Sequence, residues 1–490
     1  MNLLKRGTNS MDATSRRVLK VMGIFTSVEM AGIVCSMVKM KLVAMWLDAT
    51  GVGLFNIFNS TIDTTTYLTG LGLRQSAVRD LSGASRKGEG MLRRMVERVR
   101  AWSVAAGLLG AVVLAALAWP LAEIIFGDGR MWWNFMVLGG AMLLNALYAG
   151  ESAIFQATEG FKRLARSGLG MAVAGLVVSV PMFRFMGEAS VAWSLLAYSL
   201  CGVIFAYINR DRRFAVTLPR RKDLQGEQTF LKFGAFISIT AFINSLCQLA
   251  FSTWLNREAS TAEVGLYSAG YILVMRYTSL VFNSVSLEYY PRVAACGANR
   301  NRMEVFMNHE VSLLLLLFTP LMLLFLLFRE LIVEILYDAD FLVILPFISW
   351  GILTVVLRGA SNTMAYTIMA KGEGKVYMFT DVVDAVLGLG LSIWLYSELG
   401  LTGIGVAMVV WHGVYMLIVE GVCRRRYGLY LRSATLRLLT ASFLTAGIAL
   451  VLVLMTPALI HVPVLAIAAC VYIWYFARFL GRHGRRRIIS

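Results

Sequence analysis

Between Leu266 and Leu287 the chain runs for 22 residues with a single charge, Arg276, near their centre. That is about the length a helix needs to cross the hydrocarbon core of a bilayer. An arginine at that depth costs at least about 2.5 to 3.5 kcal/mol on insertion scales, so it should face protein or a water-filled cavity and meet a negative partner. An intramembrane carboxylate would make Arg276 a structural ion pair. An anionic substrate would make it a binding residue, the default reading for ionisable groups inside spans.

Runs of this kind extend from end to end: 58% of the residues are hydrophobic, 15% are charged and the mean hydropathy is +0.68. Such a chain is an all-α polytopic membrane protein. Apolar windows predict about fourteen spans, at 18–47, 53–80, 95–119, 131–157, 164–186, 190–209, 231–256, 264–290, 306–328, 341–369, 376–397, 403–422, 436–456 and 463–480. The polar, basic first twenty residues do not fit a cleavable signal peptide. The six cysteines form no CxxC, and the four histidines make no metal-ligand pattern, so no metal or cofactor is expected.

Charge gives the orientation. With the N-terminus inside, the inner segments hold 38 Lys and Arg, the outer segments four (Arg130, Arg184, Arg257, Arg329) and the spans four. An excess of that size predicts both ends in the cytoplasm. It also accounts for the net charge of +17 without nucleic acid, because the positive residues flank spans, where they fix topology and touch anionic membrane lipids.

The chain repeats itself. VGLF at Val52–Phe55, opening the second span, recurs 212 residues later as VGLY at Val264–Tyr267, opening the eighth. The same offset links Lys20 to Lys232, and Gly160 and Arg163 to Gly372 and Lys375. Two copies of a six-helix unit are expected, related by an axis along the membrane normal, with a substrate site between them near the midplane. The predicted organisation is an N-lobe over 1–210 (spans 1–6), a cytoplasmic linker over 211–230 and a C-lobe over 231–424 (spans 7–12). Spans 13 and 14 and a basic tail follow over 425–490.

Other charges lie inside spans. Asp63 is central in the second and Arg358 in the tenth; Glu29, Lys39 and Lys41 lie in the first, and Glu151 in the inner half of the fourth. In one reading Arg276, Arg358, Lys39 and Lys41 line a cationic cavity for an anionic ligand such as a lipid diphosphate, which arginine forks bind bidentately. In the other, Asp63 with Arg276 and Glu29 with Lys39 are closed ion pairs, and the two lysines snorkel to the interface. Asp63, Glu29 and Glu151 are the candidates for coupling or gating, with a proton or sodium ion as the coupling species. Asp381 and Asp384 are read as solvated or paired with Lys375, and Pro346 as a kink in the tenth span. No nucleophile triad, metal cluster or phosphate-cradling loop is found, so no catalytic residue is assigned.

The stretch GVGLFNIFNSTIDTTTYLTGLGLRQSAVRDLS (Gly51–Ser82) resembles the second-helix signature of the polysaccharide transporter family, the O-antigen flippases of the multidrug, oligosaccharidyl-lipid and polysaccharide exporter superfamily. VGLY at the eighth span, ATEGFKR at Ala157–Arg163 and AKGEGK at Ala370–Lys375 look like the same family. The resemblance implies a V-shaped, MATE-like pair of lobes and alternating access. It also implies transfer of an undecaprenyl-diphosphate-linked oligosaccharide across a bacterial inner membrane, beside a polysaccharide polymerase and chain-length proteins. In such flippases an arginine on the eighth span is implicated with the lipid's phosphates, which matches Arg276 by position. The rival readings are a cation-coupled multidrug antiporter, which would want a cavity of carboxylates and aromatics, and a membrane glycan polymerase, which would want a sizeable external loop.

Overall fold

The computed structural model describes residues 2–70, 72–214, 229–276, 278–279, 282, 289, 292–297 and 299–487; side chains are described from Met30 on, except at 75, 86, 229–237, 458 and 480–487. The side chain of Glu29, residues 215–228 of the expected linker and the end of the basic tail lie outside what is described. Every regular element among the described residues is helical. This follows from the solvent: an unpaired backbone N–H or C=O costs several kcal/mol in hydrocarbon, and a helix closes those bonds within one segment.

The elements are α1 (Asn2–Gly70), α2 (Leu73–Lys87), α3 (Glu89–Ala116), α4 (Ala118–Phe126), α5 (Trp132–Ala157), α6 (Phe161–Met186), α7 (Ser190–Ile208), α8 (Thr229–Glu258), α9 (Thr261–Tyr271), α10 (Arg300–Leu336), α11 (Leu345–Gly351), α12 (Thr354–Ala370), α13 (Gly374–Leu399), α14 (Leu401–Val422), α15 (Ser433–Met455) and α16 (Ala458–Arg487). By length and hydropathy nine described helices could cross a membrane, or ten if the bent pair Ala339–Gly351 and Thr354–Ala370 is one span. Two of the nine are far longer than one crossing. Met30–Gly70 has 41 residues, about 60 Å of helix or twice a hydrocarbon core. It breaks at Asp48, where φ of 54° and ψ of −163° interrupt the helix. Phe161–Ile208, with 48 residues, breaks at the turn Gly187–Ala189.

Pro346 does not kink the tenth span. It lies in the first turn of α11, where its missing N–H has no intrahelical partner to lose. The 49° bend falls instead at Ile352–Leu353, between α11 and α12.

The chain forms two compact units, Met1–Gly265 and Leu266–Ser490. In the first, Phe58, Phe126 and Phe135 form an aromatic cluster with ring centroids 5.9–6.3 Å apart. In the second, Phe282 packs on Phe318 at 4.4 Å, within a core that runs through Val311, Leu315 and Met364. Two local backbone features occur once in each unit. Asp128 and Asp338 each accept a backbone N–H to start a 3-10 turn, at Gly129–Met131 and Ala339–Ile344. Gly187 and Gly400 each join two helices with almost the same angles, φ 58°, ψ −144° and φ 60°, ψ −145°. That region of backbone space is essentially restricted to glycine.

The matched glycines of VGLF and VGLY meet. A Cβ on Gly53 would strike the carbonyl oxygen of Thr261 and lie 3.0 Å from the nitrogen of Gly265, and one on Gly265 would strike the carbonyl oxygen of Ala49. Two backbones touch here because neither glycine carries a side chain. Gly53→Ala or Gly265→Ala is therefore expected to cost about 1–3 kcal/mol, seen as a lower unfolding midpoint in detergent. Gly83→Ala in α2, where a Cβ meets nothing within 4 Å, should leave the midpoint unchanged or raise it. Equal midpoints for all three variants would remove the crossing from the packing of the first unit.

Candidate functional site

In the second unit α9 runs into a π-turn, Ile272–Arg276. A π-turn shifts the hydrogen-bond ladder by one residue and leaves carbonyls open to other donors. The carbonyl oxygen of Met275 accepts from Ser279 Oγ at 2.7 Å, from Thr278 Oγ1 at 3.1 Å and from Arg358 Nη1 at 3.4 Å. Arg358, one turn into α12, also donates to Met275 Sδ at 3.1 Å, Thr278 Oγ1 at 3.0 Å and Ser279 Oγ at 2.9 Å, and its guanidinium lies 5.1 Å from the Phe282 ring. A planar fork with fixed donors can hold an irregular turn in this way; a lysine could not. Arg358 thus spends its donors inside the unit.

Arg276 closes the same π-turn and is exposed, with no hydrogen bond or ion pair among the described residues. One arginine fixes the turn from which the other projects. Asp384 on α13 lies within electrostatic reach of Arg358. It is half-buried and makes no ion pair with Lys375, and its Oδ1 is buried without a hydrogen-bond partner. The i, i+3 pair Asp381 and Asp384 was the only sequence signal for this buried carboxylate.

In the first unit Lys39 is only 8% exposed. Its ammonium sits over the rings of Phe55 at 4.5 Å, Tyr198 at 5.0 Å and Phe183 at 6.0 Å. It does not snorkel, and it has no ion pair among the described residues; three ring faces, each attractive to a cation, take the place of a counterion. Lys41 is half-buried and Asp63 exposed, and each interacts with neighbouring groups. Along the same helix polar side chains close on their own backbone. Thr61, Thr64, Thr65 and Thr69 each donate to the carbonyl four residues earlier, at 2.7–2.9 Å. Two cross-links tie this face to α8: Thr64 Oγ1 to Ser245 Oγ at 2.8 Å, and Ser252 Oγ to Asn56 Oδ1 at 3.0 Å.

Glu151 is held in a closed, bidentate ion pair with Arg100, at 2.5 Å from Nε and 3.2 Å from Nη2. Arg100 Nη1 also donates to the carbonyl of Phe214 at 3.3 Å. Beside it Asp211, 5% exposed at its side chain, accepts from Arg163 at 2.6 Å and Arg213 at 2.8 Å. Sequence reasoning missed this clasp, because its partners are 48 to 51 residues apart or sit in a turn with no helical spacing. Of the expected site residues, then, the structure brings Arg276 and Arg358 to one turn. It places Lys39 in a ring cage and Glu151 in the clasp.

The class is a multi-pass membrane fold: every regular element among the described residues is helical, and nine or ten of the helices are long and apolar enough to cross a membrane. Solved structures share this fold. The fold matches "Lipid II flippase MurJ, inward closed conformation" with a TM-score of 0.67 at 11% identity, over 94% of this chain and 99% of that one. It matches the inward-facing conformation of a multidrug resistance MATE family transporter of the MOP superfamily with a TM-score of 0.65 at 15% identity, over 84% and 98%. In sequence the chain is 21% identical over 390 residues to the "Lipid III flippase" of Escherichia coli (strain K12), covering 78% of this chain and 92% of that protein. The chain belongs to the family described as "Polysaccharide biosynthesis protein", whose profile matches residues 47–346. These relatives are flippases and transporters, not enzymes, in line with the non-enzymatic reading of the sequence.

The clasp gives a pH test. The Arg213 guanidinium, then Arg163, holds the Asp211 carboxyl well below the usual carboxylate range, against the opposing effect of burial. A carboxylate whose folded pKa is depressed stabilises fully above its unfolded value, about 3.9, and loses that contribution as pH falls toward the folded value. Asp211→Asn should lower the thermal midpoint at pH 7 by the equivalent of about 1.5 to 3 kcal/mol. The gap to wild type should narrow below about pH 4; a gap independent of pH would show that the charge of Asp211 does not matter.

Proposed function

We propose that this protein is a flippase for a lipid-linked oligosaccharide, moving a polyprenyl-diphosphate-anchored repeat unit of a surface polysaccharide such as O-antigen across a bacterial inner membrane by alternating access. The observation that carries this reading is Arg276, a cation without a partner among the described residues, projecting from a π-turn inside an apolar span. Such a residue is a functional group by default, and a guanidinium matches the two-pronged geometry of a phosphate. Membership of the polysaccharide biosynthesis family and the likeness to lipid III and lipid II flippases support it.

In this reading Arg276 contacts the diphosphate and Arg358 positions it through the turn. Asp63, Glu29 and Glu151 bear on coupling and on opening at the two membrane faces. The fourteen crossings, the two six-helix lobes and the cytoplasmic termini inferred from loop charge belong to the same proposal.

The test is transport in proteoliposomes loaded with a fluorescent polyprenyl-diphosphate oligosaccharide. Arg276→Ala should slow flipping by about tenfold or more, and Arg276→Lys should keep part of the rate, because charge survives while the fork is lost. Transport at the wild-type rate in Arg276→Ala, together with its loss in Asp63→Ala, would replace the phosphate contact with a coupling role.

A further inference from the structure

At the foot of the second unit a groove of about 1090 Å³ runs between the start of α13 and the end of α14. Its two ends differ in chemistry. Phe379 and Leu417, 67% and 62% exposed, form an apolar end together with Ile418. At the other end lie Lys375, Arg425 and Arg426, with Glu373 beside them. Arg426 is neutralised by Glu373 at 2.6 Å. Lys375 and Arg425 are exposed and have no ion pair among the described residues.

The chain builds this basic end actively. After Val422 the helix becomes a π-turn, Cys423–Tyr427, and stops at Gly428 in the left-handed conformation. The turn holds Arg425 and Arg426 at the mouth of the groove instead of carrying them away along a further α-helical turn. Across the mouth, the Gly372 turn at φ 80° delivers Lys375 on the first turn of α13. The flanking contact of Lys371, 5.2 Å from the Tyr427 ring, ties the two sides together.

We infer that this groove binds an anionic phospholipid of the cytoplasmic leaflet, its phosphate bridged by Lys375 and Arg425 and an acyl chain laid along Ile418, Leu417 and Phe379. Charge complementarity selects the anion: the lining carries two cations beyond the Arg426–Glu373 pair. The apolar end selects the tail, since neither a free phosphate nor an acidic peptide would cover Phe379 and Leu417. The positive loop charge places this end of the helices in the leaflet that carries anionic lipid. A lipid seated here would brace α13 against α14 beside the turn that follows α12.

Titrating detergent-solubilised protein with dioleoylphosphatidylglycerol should raise the thermal midpoint saturably, and dioleoylphosphatidylcholine should not. The double variant Lys375→Gln/Arg425→Gln should melt like wild type without lipid and need about tenfold more phosphatidylglycerol for half its effect. Arg478→Gln/Arg437→Gln removes the same charge outside the groove and should titrate like wild type. Equal half-saturation in the groove variant, or an equal weakening in the control pair, overturns the proposal. So does a comparable shift with inorganic phosphate or a polyglutamate peptide, which would show an occupant without a tail. Should the groove variant fail to fold, a photoactivatable phosphatidylglycerol on the wild-type protein decides: label mapping to 371–379 and 417–426 is expected, and label confined to other segments refutes the site.

Discussion

A positive charge in hydrocarbon must be answered by something, and the two units answer it differently. In the second unit the backbone itself supplies part of the answer. The π-turn at Ile272–Arg276 frees the carbonyl of Met275, and Arg358 fills it along with the hydroxyls of Thr278 and Ser279. Without that arginine the turn would lose its link to α12, leaving the Met275 carbonyl only its bonds to Ser279 and Thr278. Without the turn, Arg276 would continue an ordinary helix and project elsewhere. The pair is thus one device in which structure and function occupy different side chains.

In the first unit the answer is aromatic. Lys39 has no carboxylate among the described residues and instead faces Phe55, Phe183 and Tyr198. Two carboxylates of this unit are committed elsewhere, Glu151 to Arg100 and Asp211 to Arg163 and Arg213. These ionisable residues, which composition alone would group together, are therefore sorted by partner.

How far the sequence could be read depended on whether a feature is local. Span length and charge asymmetry are local sums, so the membrane class was legible from composition and windows. VGLF and VGLY are matched letters in the sequence, yet nothing in them says that Gly53 and Gly265 touch; that is a property of two helices crossing. That Arg276 is a lone charge in an apolar stretch was legible, while its π-turn was not, because a one-residue slip in a hydrogen-bond ladder leaves no pattern in apolar side chains. Pro346 misled for the opposite reason: a proline marks a kink only inside a helix, and a 3-10 turn just ahead of it makes residue 345 a helix start. The pairing of Asp384 with Lys375 was read from sequence distance alone, whereas the burial of its Oδ1 depends on neighbouring helices.

The hydroxyl ladder on α1 bears on how the protein is made. Asn59, Thr61, Thr64, Thr65 and Thr69 each donate to the carbonyl four residues back, so most of the polarity of this segment is satisfied by its own turns. A nascent helix of that composition can leave the translocon and partition into lipid before α8 has been synthesised. The cross-links at Thr64 and Asn56 are then drawn from surplus acceptor capacity when the later helix arrives, which makes the order of synthesis compatible with the order of assembly.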